Sequence, residues 1–217
     1  MKYETALMLF EHTLDNTARV STAINLGLLE LVDQGMIESA SLEVSNALAT
    51  GARVWMTADL HLCHANIIRY CDRPYFDVGS MNEAVLQLLG KVGPDELLVI
   101  VGDVSMGNYE ASIELVRRIP GRKILVLGNH DFTHDGKCRL LRERGLFEAI
   151  VPFLFWTGPQ GRDVLVSHYP VCIPENHKSH YPLLNYHGHM HQNVLAPTEQ
   201  VKYMNVGWDV DYTLRCL

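Results

Sequence analysis

The sequence predicts an α/β domain with at least partly parallel strands, preceded by a helical N-terminal segment. Three observations predict it. From residue 52 onward, short apolar runs alternate with stretches at helical spacing. Residues 1–50 differ in composition from everything that follows. Each of four apolar runs is followed almost at once by Asp, Asn or His.

A length of 217 residues suits one domain, or one domain with an appendage. It is enough to bury a sizeable core without disulfides. Hydrophobic residues make up 47% and charged residues 20%, which argues against disorder. The formal charge of −7 makes long nucleic acid and anionic membranes poor partners, since both recruit clustered positive charge. No apolar run approaches the roughly 20 residues of a membrane span. The N-terminus lacks the basic stretch and apolar core of a signal peptide. The five cysteines are scattered and form no CxxC pair, so free thiols in a reducing cytoplasm are the simplest reading.

The elements follow in order. Residues 1–50 contain no proline, two basic residues and seven acids, and so net −5 of the −7. Leu7, Phe10 and Leu14, then Val20, Ile24, Leu28 and Leu31, recur near helical spacing. The pattern predicts two or three amphipathic helices, broken near Asp15–Asn16 and at Gly35. Two readings of this segment stand: an appendage packed on the core, or an arm that makes a homodimer. Beyond it, Val54–Ala58, Leu97–Val101, Ile124–Leu127 and Val164–Val166 read as strands. Helices are expected at 64–70, 80–91, 109–119 and 137–144. The tail from Pro182 reads as short strands and turns. Eight of the 18 basic residues fall between Arg117 and Arg144, alternating with apolar positions. That spacing reads as a solvated helix face, with a phosphate-attracting rim as the alternative. Trp55, Trp156 and Trp208 are expected to pack in the core or on a sheet.

The chemistry sits behind the strands. Val54–Ala58 leads into Asp59-Leu60-His61, and Leu97–Val101 into Gly102-Asp103. Ile124–Leu127 leads into Gly128-Asn129-His130-Asp131, and Val164–Val166 into Ser167-His168. A fifth cluster, Gly188-His189-Met190-His191, lies in the tail. Ligands of open α/β sheets bind beyond the carboxyl ends of strands, so these residues are placed to converge. All but one of the 11 histidines lie between His61 and His191. Oxygen and nitrogen donors without cysteine suit Mn, Fe, Zn, Co or Ni. Seven or more candidates exceed one tetrahedral zinc and fit two ions sharing a carboxylate. Asp59-x-His61 and His189-x-His191 would each grip from one side if the chain there is extended. The glycines at 102, 128 and 188 permit close backbone approach beside the site.

This series of five blocks resembles the calcineurin-like metallophosphoesterase superfamily, and it is most similar to the small bacterial and phage members. Asp59 to Ile68 and Asn205-Val206-Gly207-Trp208-Asp209 add to the likeness. The resemblance implies a two-sheet β-sandwich flanked by helices, covering residues 51–217, with residues 1–50 an unmatched helical extension. It implies that Asp59, His61, Asp103 and His191 hold one divalent ion. Asp103, Asn129, His168 and His189 would hold the other, with Mn, Fe, Ni or Zn as the metals. His130 would bind no metal and would face the scissile phosphate. Relatives often carry glycine where this chain has Cys63.

The expected reaction is hydrolysis of a phosphate ester, most of all a diester. Two ions about 3.5–4 Å apart activate a bridging hydroxide and orient the phosphate, and His130 serves as general acid. The substrate class is a small phosphate ester or short nucleotide. Phosphomonoester or phosphoprotein hydrolysis is the alternative, as is a metal-bound module without activity. His64 would contact substrate or cap a helix, and His187 would orient a ligand. Asp131 is expected to orient His130 or close its turn. Arg69 and Arg73 read as surface charges, with substrate contact as the alternative, and His177 and His180 as surface residues, with the border of the cleft as the alternative. Asn205 lies near the site with no role assigned.

Overall fold

The computed structural model describes residues 1–13, 34–132, 140, 145–174 and 181–217. Two mixed sheets face each other, flanked by helices. The first has strand order β4-β3-β2-β1-β9 and the second β5-β6-β7-β8. In the first, β1 (Val54–Thr57), β2 (Leu97–Val101), β3 (Arg122–Val126) and β4 (Ala149–Val151) are parallel. The short β9 (Arg215–Cys216) closes its edge antiparallel to β1. In the second, β5 (Phe153–Thr157) runs antiparallel to β6 (Asp163–Ser167). Then β7 (Leu183–His187) and β8 (Val201–Asn205) continue parallel to β6.

Strand β2 shows why the apolar runs fold this way. Leu97, Val99 and Val101 point into the core between the sheets, and Leu98 and Ile100 into a second core beneath helices. A strand buried on both faces must be apolar throughout, as LLVIV is. The helices over the second core are α4 (Val78–Leu89) and α5 (Tyr109–Arg118), which contribute Val85, Leu86, Leu89, Ile113 and Val116. The N-terminus of α4 is closed by a capping box between Asp77 and Ser80, and that of α5 by Asn108 Oδ1 accepting from Ala111 N. The short α3 (Ala65–Tyr70) follows β1.

The N-terminal helices α1 (Tyr3–Phe10) and α2 (Gln34–Ala49) lie on the second sheet. Ala6, Leu9, Phe10, Ile37, Ala40 and Val44 join the inter-sheet core, and the Phe10 and Phe153 rings sit 4.9 Å apart. Their apolar faces are thus occupied within the chain, as the packed-appendage reading expects. Gly35 is helical, in α2, and what immediately precedes Gln34 lies outside the described residues. The positions from Leu14 to Leu31, the break at Asp15–Asn16, His177 and His180 lie outside the described residues, as does 137–144 apart from Leu140.

The remaining expected helices and strands stand within about two residues of their predicted bounds. Strands β4 and β5 were not anticipated, because Pro152 splits one apolar stretch into two strands that serve different sheets. Trp156 and Trp208 are buried, and Trp55 is half-buried with Nε1 donating to Glu96 Oε2 at 2.6 Å. The described part of the basic concentration is paired. Arg117 meets Glu114, Arg118 meets Glu83, and Arg122 meets Glu148 and Glu43.

Candidate metal centre

The carboxyl ends of β1, β2, β3, β6 and β7 meet where the two sheets come together. A bridge from Ala58 to Gly207, with Trp208 N donating to Ala58 O at 2.8 Å, ties the end of β1 to the chain leaving β8. Beyond its last strand residue the chain keeps pairing with the β2 loop. Asp59 N donates to Gly102 O, His61 N to Asp103 O and Leu62 N to Val104 O, at 3.0–3.1 Å.

That pairing is not extended strand. Asp59 and His61 have φ of 56° and 50°, and Asp103, His189 and His191 lie at 55°, 65° and 48°. Five of the seven candidate ligands therefore occupy the left-handed region, which costs an L-residue about 1–2 kcal/mol. The alternation argument for Asp59-x-His61 and His189-x-His191 is thus corrected: tight left-handed turns, not a pleated strand, present these side chains. The second pair does not grip from one side. His189 packs its ring 5.3 Å from His168, whereas His191 stacks 5.3 Å from His61. Cys63 is left-handed too, at φ 65°, a conformation that glycine adopts without the cost of a Cβ.

The seven residues nonetheless come together. Ligand atoms of Asp59, His61 and His191 all lie within 4.8 Å of one another, and so do those of Asp59, Asp103 and His168. Asn129 Oδ1 is 3.2 Å from His168 Nε2. His189 N donates to both Asp59 oxygens at 3.0–3.1 Å. The Asp103 carboxylate stands 3.6 Å from His61 Nε2 and 3.5 Å from His168 Nε2. His130 donates its backbone N–H to Asp103 Oδ1 at 2.8 Å, and its half-buried ring lies 5.2 Å from that of His61. His64 precedes α3, 5.4 Å from His61 ring to ring.

Packing leaves no room for a side chain at two glycines beside these groups. A Cβ on Gly128 would come 2.4 Å from Asp103 Oδ1, and one on Gly188 would come 2.6 Å from Asp59 Oδ2. The donor set fits divalent ions, on one observation above all. Among the described residues, both ring nitrogens of His61 are buried without a hydrogen-bond partner. Burial of an unpaired polar group costs free energy, which a metal bond would offset for one of the two. Burial also pushes the His61 imidazole down to about 3, which leaves it neutral as a ligand must be. Burial, then the Asp103 charge, pushes Asp59 up to about 6. For His168, burial lowers the pKa and Asp103 more than reverses it, to about 9. For His191, burial is likewise outweighed by Asp209, giving about 10.

Asp131 closes the turn that carries His130, the second of its two expected roles: its buried carboxylate accepts from Gly128 N, and also from Asp103 N and Val104 N, at 2.8–3.0 Å, tying the β2 loop to the β3 turn. Arg73 is not a surface charge. It is 3% exposed and forms a bidentate pair with Asp209, at 2.7 and 2.8 Å. Asn205 gains a role, since its Nδ2 donates to His191 O and Asn193 O while its Oδ1 accepts from Gly207 N. Asp209, which accepts from His191 Nδ1 at 2.7 Å, carried a signal in the Asn-Val-Gly-x-Asp segment; a single arginine between two helices carried none. His187 is buried, and its ring Nδ1 lies 2.9 Å from Gly188 O, just ahead of His189. Arg69 is exposed, its guanidinium 5.5 Å over the Tyr70 ring.

Comparison with known proteins agrees with this geometry. The chain is 28% identical over 186 residues to the Gene 66 protein of Mycobacterium phage D29, an alignment covering 75% of this chain and 91% of the phage protein. It is 25% identical over 163 residues to the uncharacterized protein MJ1445 of Methanocaldococcus jannaschii, covering 73% and 88%. Among solved structures, the Aquifex aeolicus protein of unknown function AQ665 superposes with a TM-score of 0.57 at 25% identity, over 76% of this chain and 95% of that one. No helix among the described residues is long and apolar enough to cross a membrane. The calcineurin-like phosphoesterase family model matches residues 52–212, from the start of β1 through the Asp209 turn, and the chain belongs to that family of metal-dependent phosphoester hydrolases.

Proposed function

We propose that this protein is a phosphodiesterase with a dinuclear centre. Asp59, His61, Asp103 and His191 would hold one ion, and Asp103, Asn129, His168 and His189 the other. The position of Asp103 carries the reading: one buried carboxylate lies within 3.6 Å of a histidine from each set. Two bound divalent ions would supply Lewis-acid polarisation of the phosphate and acidify a water between them.

The chain's own groups supply the rest. Asp103 anchors the backbone of His130, which fixes the base of the ring that protonates the leaving oxygen. The His64 ring, 5.4 Å from that of His61 and 6.3 Å from that of His130, would donate to a phosphate oxygen. A diester carries one negative charge and a monoester two. The buried guanidinium beside the centre is committed to Asp209 and to two carbonyls, which leaves the phosphate to imidazoles and favours the diester. We take residues 51–217 as the phosphoesterase domain and 1–50 as its extension. The free thiols of Cys63, Cys71, Cys172 and Cys216 support a reducing cytoplasm as its compartment.

The test is hydrolysis of bis-p-nitrophenyl phosphate by metal-stripped protein, with and without Mn²⁺, beside Asp103→Asn. Mn²⁺-dependent turnover that the variant lacks is expected. Turnover of the monoester alone would replace the diester reading. Failure on both esters by a protein that still binds Mn²⁺ would indicate a binding module. His130→Ala is expected to keep its Mn²⁺ and lose about 10²–10⁴-fold in turnover, most on poor leaving groups. Loss of Mn²⁺ together with turnover would make His130 structural.

A further inference from the structure

We propose that Arg73 and Asp209 are positioning residues, a buried pair that sets His191 and the Asp59 loop in register for one metal ion. The proposal rests on the reading of Asp59, His61 and His191 as ligands. Three contacts converge on it. Asp209 Oδ2 accepts from His191 Nδ1 at 2.7 Å, which leaves Nε2 as the nitrogen that faces an ion. Arg73 holds the same carboxylate through Nε and Nη2. Arg73 Nη2 also donates to Asp59 O at 2.7 Å, and Nη1 to Leu60 O at 2.9 Å.

Those two carbonyls belong to the tight turn in which Asp59 and His61 are both left-handed. A strained turn persists only where its surroundings over-determine it. One planar guanidinium thus braces the turn that presents Asp59 and His61 while fixing the carboxylate behind His191. A carboxylate on the far nitrogen of a ligating histidine sets tautomer and ring orientation and raises its basicity. Lysine has no fork with which to make these contacts together.

Stability alone is a weak reason for such a pair. Replacing a buried ion pair with apolar side chains of similar volume is often neutral or stabilising, whereas removing one partner is costly. Position is what the apolar replacement would lose.

The experiment is calorimetric titration of the metal-stripped full chain with Mn²⁺, together with thermal melts without metal. His191→Ala identifies the site that contains His191. Asp209→Asn, Arg73→Lys and the double variant R73M/D209L are each expected to weaken Mn²⁺ at that site by about 10–100-fold. The double variant leaves no buried charge unpaired, although Asp59 O and Leu60 O lose their donor, and it is expected to melt above either Arg73→Met or Asp209→Leu alone. In the Asp209→Asn background, Arg73→Lys should add less than it costs alone, because both act through one carboxylate. Parental Mn²⁺ affinity in R73M/D209L, or in Arg73→Lys should the double variant not fold, would overturn the proposal while His191→Ala still loses the ion. Parental affinity in His191→Ala itself would instead overturn the ligand reading, and this proposal with it.

Discussion

His168 and His191 lie in two clusters of candidate ligands that both approach Asp59, yet they are aimed by different means. His168 is fully buried, and its Nδ1 donates to the backbone carbonyl of Val101, the last residue of β2, at 2.9 Å. His191 is partly exposed, and its Nδ1 donates to a side chain, Asp209, which depends in turn on Arg73 at a sequence distance of 136 residues. The first histidine is aimed by the sheet, so its orientation comes with the fold. The second is aimed by a side-chain relay, so its orientation can be changed while the fold is kept. Around His168 the support is likewise backbone, gathered by Asp131 through three amides. Damage on the His168 side should therefore appear as lost stability, and damage on the His191 side as lost metal.

The largest effect is expected from Asp131→Ala. It leaves the amides of Asp103, Val104 and Gly128 without their acceptor in a buried place. At roughly 1–3 kcal/mol for each unsatisfied group, a loss of about 4 kcal/mol is expected in urea unfolding of the metal-free protein. A parental urea midpoint would break the comparison, since the His168 side would then not be a structural unit. Gly128→Ala comes next. Its Cβ would meet Asp103 N at 2.7 Å and His168 Nδ1 at 2.9 Å, and relief requires the β2 and β3 loops to separate. About 2–3 kcal/mol of overpacking is expected, with a fall in Tm that added Mn²⁺ does not restore. Asn108→Ala, at the start of α5 and away from both histidines, should cost about 1 kcal/mol through its lost cap. Unchanged Mn²⁺ affinity in that variant would sharpen the contrast, by showing that destabilisation as such does not empty the centre.

Much of the fold was legible because it obeys periodicity. Leu97–Val101 reads as a strand from its apolar run, and 109–119 as a helix from its spacing. Strand β5 was not legible, because Phe153–Thr157 adjoins the β4 residues across one proline and nothing local says which sheet takes it. The ligand candidates were legible as types in order, each behind an apolar run. Their presentation was not. A reading by strand alternation places Asp59 and His61 on one face of a pleat, whereas φ of 56° and 50° puts them in a left-handed turn held by Gly102, Asp103 and Arg73.

The alternating elements, the donor set of Asp, Asn and His, and the family follow from residue type and spacing along the chain. Which surroundings each donor meets follows from packing. Arg73 reads as surface charge until Asp209 arrives to pair with it, and Asp131 reads as local to its own turn until two amides of the β2 loop also close on it. The physical reason is the same in both cases. A buried charge is tolerable only beside its partner, and partners separated by 136 residues meet only once the two sheets have packed.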